Sequence, residues 1–136
     1  MREIKFRAWN EQIKFMGEVR NIDFINGTVE VLIEDNIGYY FEDWKKTDIK
    51  TMQYTGLQDK NGVDIYEGDI INLSYEYFDG HFRDNEIVGK VYFEGSSFRM
   101  SYKKYDEIRE WRIDEPEILS IEVIGNIYEN PELLEV

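Results

Sequence analysis

The sequence predicts an all-β fold, a barrel or a sandwich, on three observations. Short runs of alternating apolar and polar residues recur along its 136 residues, and this alternation is the period of a half-buried strand. Turn dipeptides separate these runs, among them Asn26-Gly27, Asn61-Gly62 and Asp79-Gly80. Helical periodicity is scarce, so closely spaced strands determine the fold class.

The residue pattern of the N-terminal part predicts several strands, two of which are joined as a hairpin. Between residues 3 and 9, Ile4, Phe6 and Ala8 fall on one face and charged residues on the other. Apolar runs follow at 13–19 and 22–33, and Asn26-Gly27 splits the second run into two hairpin strands. A short aromatic run at 39–41 precedes two acids and Trp44. The polar residues after it are read as a loop or one helical turn, and a domain boundary, if there is one, is expected there.

The stretch 53–71, QYTGLQDKNGVDIYEGDII, is the part around which the remaining strands are expected to be organised. Asn61-Gly62 predicts a hairpin with a type I′ turn, because that turn needs positive φ at both central residues. Gly68 permits a sharp corner, and Asp69 is expected to accept bonds from local backbone donors before an apolar run. These four residues form the predicted structural corner.

The C-terminal part predicts further strands and one helix start. Strands are expected at 70–78, 86–93, 98–102 and 118–127, with an exposed polar segment at 79–85. Gly89 is a candidate bulge. Residues 103–115 fit a helix and a strand equally well. In the last strand the apolar parity changes after Val123, and Asn130-Pro131-Glu132 is typical of a helix start.

Composition limits the classes of function. Twenty-nine acidic against 16 basic residues give a formal charge of −13, which repels phosphate backbones and anionic membranes. The absence of cysteine removes disulfides, thiolate metal sites and a thiol nucleophile. No apolar run is long enough for a signal peptide or a membrane span, so we expect a soluble, cytoplasmic protein.

A search for chemistry yields no catalytic residue, metal site or cofactor site. His81 is the single histidine and is expected in an exposed loop. The stretch 59–64 fails the calcium-loop pattern, since glycine holds its fourth position and valine its fifth. Asp64, Glu67 and Asp69 are the candidates for a carboxylate-based hydrolase, but turn capping is a sufficient explanation for a Gly-Asp corner.

Three blocks carry a resemblance to a known family. The opening MREIKFRAWN, the central QYTGLQDKNGVDIYEGDII and the closing IGNIYENPELL stand at the start, middle and end of the chain. Together they resemble the YopX-like family of phage and prophage proteins. The resemblance implies an all-β protein whose C-terminal part is an SH3-like barrel. The predicted organisation is therefore an N-terminal β-hairpin region over residues 1–50 and a C-terminal SH3-like β-barrel over residues 51–136, packed as one compact unit. It supplies no catalytic residues and implies no established activity.

The leading hypothesis is a non-enzymatic accessory protein that acts in the cytoplasm of the host bacterial cell. The expected partner is a phage or host protein, and self-association is a related expectation. Binding to a membrane is not expected. Aromatic residues are the expected contacts, provided that they are exposed. The candidate interaction surface consists of Tyr39, Tyr40, Trp44 and Trp111.

The alternative hypothesis is a nucleic-acid-associated protein or an acidic mimic of DNA in phage replication or regulation. Its direct-binding form rests on basic residues interleaved with aromatics between 98 and 111, diluted by three acids. The candidate patch consists of Arg99, Lys103, Lys104 and Arg109.

Overall fold

The computed structural model describes residues 3–104, 106–114 and 118–134. Within these ranges nearly all regular structure is β, which confirms the predicted fold class. In chain order the strands are β1 (Phe6–Asn10), β2 (Phe15–Asp23), β3 (Thr28–Glu34), β4 (Tyr39–Lys45), β5 (Ile49–Gln58), β6 (Asp64–Tyr66), β7 (Asp69–Phe78), β8 (Phe82–Glu94), β9 (Ser97–Lys104), β10 (Glu107–Arg112) and β11 (Ile118–Asn126). Short 3₁₀ helices occur at Lys46–Asp48 and Pro131–Leu134.

The chain divides into two compact units, one up to Tyr54 and one from Thr55 onward. In the first unit the antiparallel strands lie in the order β4-β3-β2-β1-β5. Apolar residues from these strands meet on one face and exclude water, which stabilises the sheet. The buried core of this unit consists of Ala8, Val29, Val31, Trp44 and Ile49.

The second unit holds an antiparallel sheet in the order β10-β9-β8-β7-β11, and the end of β5 lies beside β6. Its strands follow one another along the chain except at β11, which returns to pair with β7. The buried core consists of Ile65, Ile71, Leu73, Val91, Phe98, Met100 and Ile113.

The N-terminal hairpin forms between β2 and β3, as the sequence predicts. Gly27 adopts a φ of 66°, which glycine reaches without strain. The Asp23 carboxylate accepts hydrogen bonds from the backbone N–H groups of Ile25 and Asn26, each at 3.0 Å. Because Asp23 pairs with Thr28, the loop has four residues and the aspartate side chain orders it.

The first strand is covered on both faces, which corrects the simple alternation expected for it. Trp9 lies on the parity expected to be charged, yet only 4% of its surface is exposed. Its indole N–H donates to the Glu11 carboxylate at 2.6 Å. β1 lies between β2 and β5 in the interior of its sheet, and this position provides neighbours that the sequence pattern alone does not show.

Gly89 is not a bulge. It keeps regular register with Ile71 on one side and Tyr102 on the other. A Cβ atom there would lie 2.5 Å from the Ser101 carbonyl oxygen and 2.6 Å from Met100 Cε, so glycine permits close packing. The register shifts of the second unit lie instead in β11, and the one between Val123 and Gly125 coincides with the predicted change of parity.

The stretch that fitted both helix and strand is a strand over Glu107–Arg112, while Tyr105 and Glu115 lie outside the described residues. The predicted helix start at Asn130 leads into the 3₁₀ turn Pro131–Leu134.

A closed barrel is not present in the described part of the chain. Closing a sheet requires its first and last strands to pair. Here β10 and β11 are the two edges of one sheet, and β4 and β6 are the edges of the other. The expected small barrels, including the SH3-like barrel over residues 51–136, are therefore replaced by open antiparallel sheets.

Candidate interaction surfaces

The strongest candidate surface is the aromatic edge, defined as Tyr39, Tyr40 and Phe41 on the edge strand β4. Their side chains are 70%, 46% and 50% exposed. Tyr39 and Phe41 share one face, where their rings make an edge-to-face contact at 6.1 Å, and Tyr40 projects to the other. Two of the four aromatics predicted from the sequence, Tyr39 and Tyr40, thus lie together on an open sheet edge.

A shallow hollow adjoins the aromatic edge. Its volume is about 280 Å³, and Tyr39, Phe41, Leu32, Arg20 and Glu34 line it. Aromatic and aliphatic walls with one charge of each sign suit a single side chain of a partner better than a metal or a cofactor. The hollow therefore adds a side-chain site to the backbone donors and acceptors of an edge strand.

A capped turn brings a further apolar residue next to β4. The Asp35 carboxylate accepts from the backbone N–H groups of Ile37 at 2.8 Å and Gly38 at 3.1 Å. Asp35 N–H also donates to the Gly38 carbonyl at 2.9 Å. This turn leaves the Ile37 side chain 97% exposed immediately before the aromatic edge.

Trp44 is a core residue and therefore does not belong to an exposed interaction surface. It is 6% exposed and pairs with Val29, and its indole N–H donates to the Glu42 carboxylate at 3.0 Å. The ring passes over Gly17, where a Cβ atom would lie 2.9 Å from Trp44 Cη2. The space that buries the tryptophan is created by a glycine on another strand.

Trp111 is also engaged by the fold. It is half-buried on β10 and packs against the core of the second unit. Its ring makes an edge-to-face contact with Tyr75 at 4.7 Å, an arrangement that stabilises aromatic pairs beyond their burial. It therefore contributes little open surface for a partner.

A second aromatic surface, which was not predicted from the sequence, is the hairpin tip. It is defined as residues 76–86, which comprise the end of β7, the turn and the start of β8. All of these residues are exposed. Phe78 pairs with Phe82 across the turn, their rings lie 5.3 Å apart, and they are 67% and 75% exposed. His81 lies exposed in the turn, as predicted. The signal was available as two phenylalanines flanking an Asp-Gly turn.

The four candidate nucleic-acid residues do not form one patch. Arg99 and Lys103 alternate with the core residue Met100, whereas Arg109 pairs with Tyr102 on the opposite face of the sheet. Arg99 lies 3.8 Å from the Glu110 carboxylate, and Arg109 lies 3.4 Å from that of Glu107. Lys104 falls on the Arg109 face. The basic residues are thus divided between two faces and partly compensated by acids.

The central corner follows the predicted path with a different turn. Gly62 has a φ of 80°, but positive φ at described non-glycine residues is confined to Lys14 and Asp106. Asn61 therefore lacks the positive φ that a type I′ turn requires. The loop is shaped by Asp59 instead: its backbone N–H donates to the Val63 carbonyl at 2.8 Å, and its carbonyl accepts from Gly62 at 3.0 Å.

Asp59 is the organising residue that the sequence reasoning missed. One oxygen of its buried carboxylate accepts from the backbone N–H groups of Asn61 at 2.8 Å and Val63 at 3.0 Å. The other accepts from Val123 on β11 at 2.9 Å. Burial acts to raise the pKa of Asp59, but the bonds from Val123, Val63 and Asn61 outweigh it and hold the pKa below its usual value.

Gly68 and Asp69 lie at a corner between β6 and β7. Gly68 has a φ of 83°, and its N–H donates to the Val91 carbonyl at 2.8 Å. The Asp69 carboxylate accepts from the Tyr66 N–H at 2.8 Å and is only 1% exposed. Its neighbour in the candidate hydrolase set, Asp64, accepts from the Gln58 amide at 3.1 Å. These bonds give both carboxylates structural roles.

Neither a metal centre nor a membrane-spanning helix is found in the described ranges. No three histidine or acidic side chains there approach closely enough to hold a metal ion. The helices of the same ranges are too short and too polar to cross a bilayer.

Comparison with known proteins identifies the family. Residues 5–135 match the model of the YopX protein family. The crystal structure of protein EF1440 from Enterococcus faecalis is similar, with 25% sequence identity, a TM-score of 0.57 and coverage of 98% of this chain and 99% of that one. No curated protein matches. Since the family model covers nearly all of the chain, the protein belongs to the YopX protein family.

Proposed function

We propose that the protein is a non-enzymatic interaction module that binds another protein through the aromatic edge. In this proposal it serves a phage or prophage as an accessory protein in the cytoplasm of the bacterial host. The observation that carries the proposal is the exposure of three consecutive aromatic side chains on a strand with an open edge.

The chemistry of an edge strand supports a protein partner. β4 pairs with β3 on one side, and its other side leaves backbone N–H and C=O groups open to a strand of another chain. A partner that adds a strand there gains main-chain hydrogen bonds, while pockets for alternate side chains provide specificity. The hollow beside Tyr39 and Phe41 is such a pocket. Tyrosine is also enriched among residues that dominate binding energy.

The test is affinity capture of phage and host proteins with matched variants. The double variant Tyr39→Ser/Phe41→Ser removes the aromatic edge on its open face. We expect it to lose a partner that the wild type retains. The control Ile25→Ser changes a side chain that is 95% exposed elsewhere in the same unit and should retain the partner.

Two outcomes contradict the proposal. Recovery of no protein above background by the wild type would count against an interaction module. Equal recovery by the wild type and the double variant would place the binding outside the aromatic edge. Light scattering of the purified protein tests the related expectation of self-association, which the same double variant should abolish.

A further inference from the structure

A groove of the described residues lies in the second unit, beside its C-terminal 3₁₀ helix. It has a volume of about 600 Å³, within the ~300–1,000 Å³ typical of ligand sites. Strands β8, β9 and β10 form one side, and the helix Pro131–Leu134 contributes the other. Its lining includes Val88, Lys90, Ser101, Lys103, Ile108 and Leu133.

The groove occupies the face of the sheet that points away from the core. Val91 and Met100 pair with each other and belong to the core. The adjacent pair, Lys90 and Ser101, projects to the opposite face because strand residues alternate. Lys103 lies on the same side as Ser101 and pairs with Ile108 on β10. The groove is therefore a second, uncovered surface of the sheet.

The walls of the groove combine apolar side chains on both sides. Val88 and Ile108 are 36% and 75% exposed on the strands. Leu133 and Leu134 are half-buried on the helix facing them. The free energy falls when another apolar side chain covers surface of this kind and displaces its water. A ligand with at least one bulky apolar group fits between them.

The rim of the groove is basic although the protein carries a formal charge of −13. Lys90 and Lys103 project from this face of the sheet, and Lys104, which has the other parity, also contributes to the lining; one acid, Glu86, lines the groove with them. Neither Lys90 nor Lys103 makes an ion pair with a residue in the described ranges. These two ammonium groups are therefore available to anionic groups of a ligand.

We propose that this groove binds a peptide segment of a partner protein that carries both apolar and acidic side chains. The apolar side chains pack between Ile108 and Leu133, and carboxylates pair with Lys90 and Lys103. A long polyanion such as DNA fits less well, because the cations are few and the whole protein repels phosphates. The inference is independent of the aromatic edge, which lies in the other unit and shares no residue with the groove.

The test is selection from a library of random 10-residue peptides on the full-length wild type, with counter-selection on the double variant Lys90→Glu/Lys103→Glu. We expect enriched peptides that combine Leu, Ile or Phe with Asp or Glu. Their affinity, measured by fluorescence polarisation, should fall about tenfold or more in the double variant, as for the loss of close charge pairs. Added salt should weaken it further.

Two further variants separate the groove from other surfaces. Ile108→Asp places a carboxylate on the apolar wall and should also abolish binding of the selected peptides. Lys50→Glu makes one Lys-to-Glu exchange at an exposed position of the first unit and should leave their affinity unchanged. Circular dichroism of all variants should match the wild type, because the substituted residues are exposed.

Four outcomes overturn the inference. They are selection of no peptide, selected peptides without acidic residues, equal affinity for the wild type and the Lys90→Glu/Lys103→Glu variant, and tighter binding of a 20-nucleotide single strand that the same variant abolishes. The last result would assign the groove to nucleic acid. Failure of the aromatic-edge variants to lose a partner would not affect this result, since the peptide assay reads only the groove.

Discussion

Asp59 links the loop of the central hairpin to a strand more than sixty residues further along the chain. Its carboxylate accepts three backbone hydrogen bonds, one of them from β11. The neighbouring Lys60 reinforces the link, since its N–H donates to the Ile121 carbonyl at 2.9 Å. One side chain thus fixes both the shape of the loop and its position in the second unit.

We expect Asp59→Asn to destabilise the second unit at pH 7 by about 2 kcal/mol, the scale of hydrogen bonds to a charged group. The amide keeps one acceptor oxygen, so its NH₂ group must face a backbone donor that the carboxylate now satisfies. Urea denaturation followed by circular dichroism measures the difference. The control Asp48→Asn alters an exposed aspartate of the first unit and should change stability little.

The same residue predicts a pH dependence. A carboxylate whose pKa is lowered on folding stabilises the protein above its unfolded pKa, about 3.9, and this contribution is lost as the pH falls toward the folded pKa. The stability gap between the wild type and Asp59→Asn should therefore be full at pH 6 and shrink below about pH 4. Urea midpoints at pH 6, 5, 4 and 3 measure it, and a constant gap would contradict the assignment.

The Asn61-Gly62 dipeptide shows what residue patterns can and cannot predict at a site. It located the hairpin correctly, because glycine at positive φ marks a turn whatever its type. The turn type depends on the Asp59 side chain. In the sequence, Asp59 is notable only as the first residue of a stretch that does not fit the calcium-loop pattern. Local chemistry is therefore visible in the sequence, but a bond to Val123 is not.

At the scale of the strands, the alternation of residues predicts which side chains share a face of the sheet. It does not predict which of those side chains are buried. The run 39–45 contains three exposed aromatics and one buried tryptophan, all of similar type. What distinguishes Trp44 is Gly17, which is remote in sequence and comes near it only through the order of β2, β3 and β4. The same limit applies to Trp9, whose burial depends on strands on both sides of β1.

Gly17→Ala tests this packing. The added Cβ atom would lie 2.2 Å from Val31 Cγ1 and 2.9 Å from Trp44 Cη2, so the core of the first unit must shift. We expect a loss of about 1–3 kcal/mol, as for other overpacked cores, with a red shift of tryptophan emission. Urea denaturation monitored by fluorescence provides both values. Glu18→Ala, at an exposed position of the same strand, is the control, and equal stability of the two variants would contradict the packing.

The hairpin tip predicts a site of proteolysis. Its residues make few core contacts, so opening it costs little free energy compared with unfolding the sheet. We expect chymotrypsin to cleave the folded protein first after Tyr77, Phe78 or Phe82, and mass spectrometry of the early fragments identifies the bond. First cleavage at Phe98, which is 8% exposed, would contradict the structure.

For the whole molecule, the all-β class and the family were predictable because each rests on patterns spread over the entire chain. Barrel closure was not, since it depends on which distant strands pair. β11 returns to β7, and β10 remains an edge, although nothing in the spacing of the turns distinguishes this arrangement from a closed one.

The formal charge of −13 predicts a dependence of stability on salt. Described ion pairs such as Arg83–Asp79 join exposed side chains, which contribute little. Repulsion among the excess acids therefore dominates and is screened by salt. We expect the Tm in 0.3 M NaCl to exceed that in 0.02 M NaCl, as measured by calorimetry. A lower Tm at the higher salt concentration would show that the ion pairs dominate instead.

The four sheet edges differ in whether they allow growth into a filament. β6 has three residues, four of the six residues of β10 are charged, and β11 carries two register shifts. Each of these features discourages a neighbouring strand. β4 pairs with β3 without a shift over seven residues and is the flat edge that remains. If two copies paired through β4, neither copy would keep an open edge that accepts a further strand. Assembly would therefore stop at a dimer.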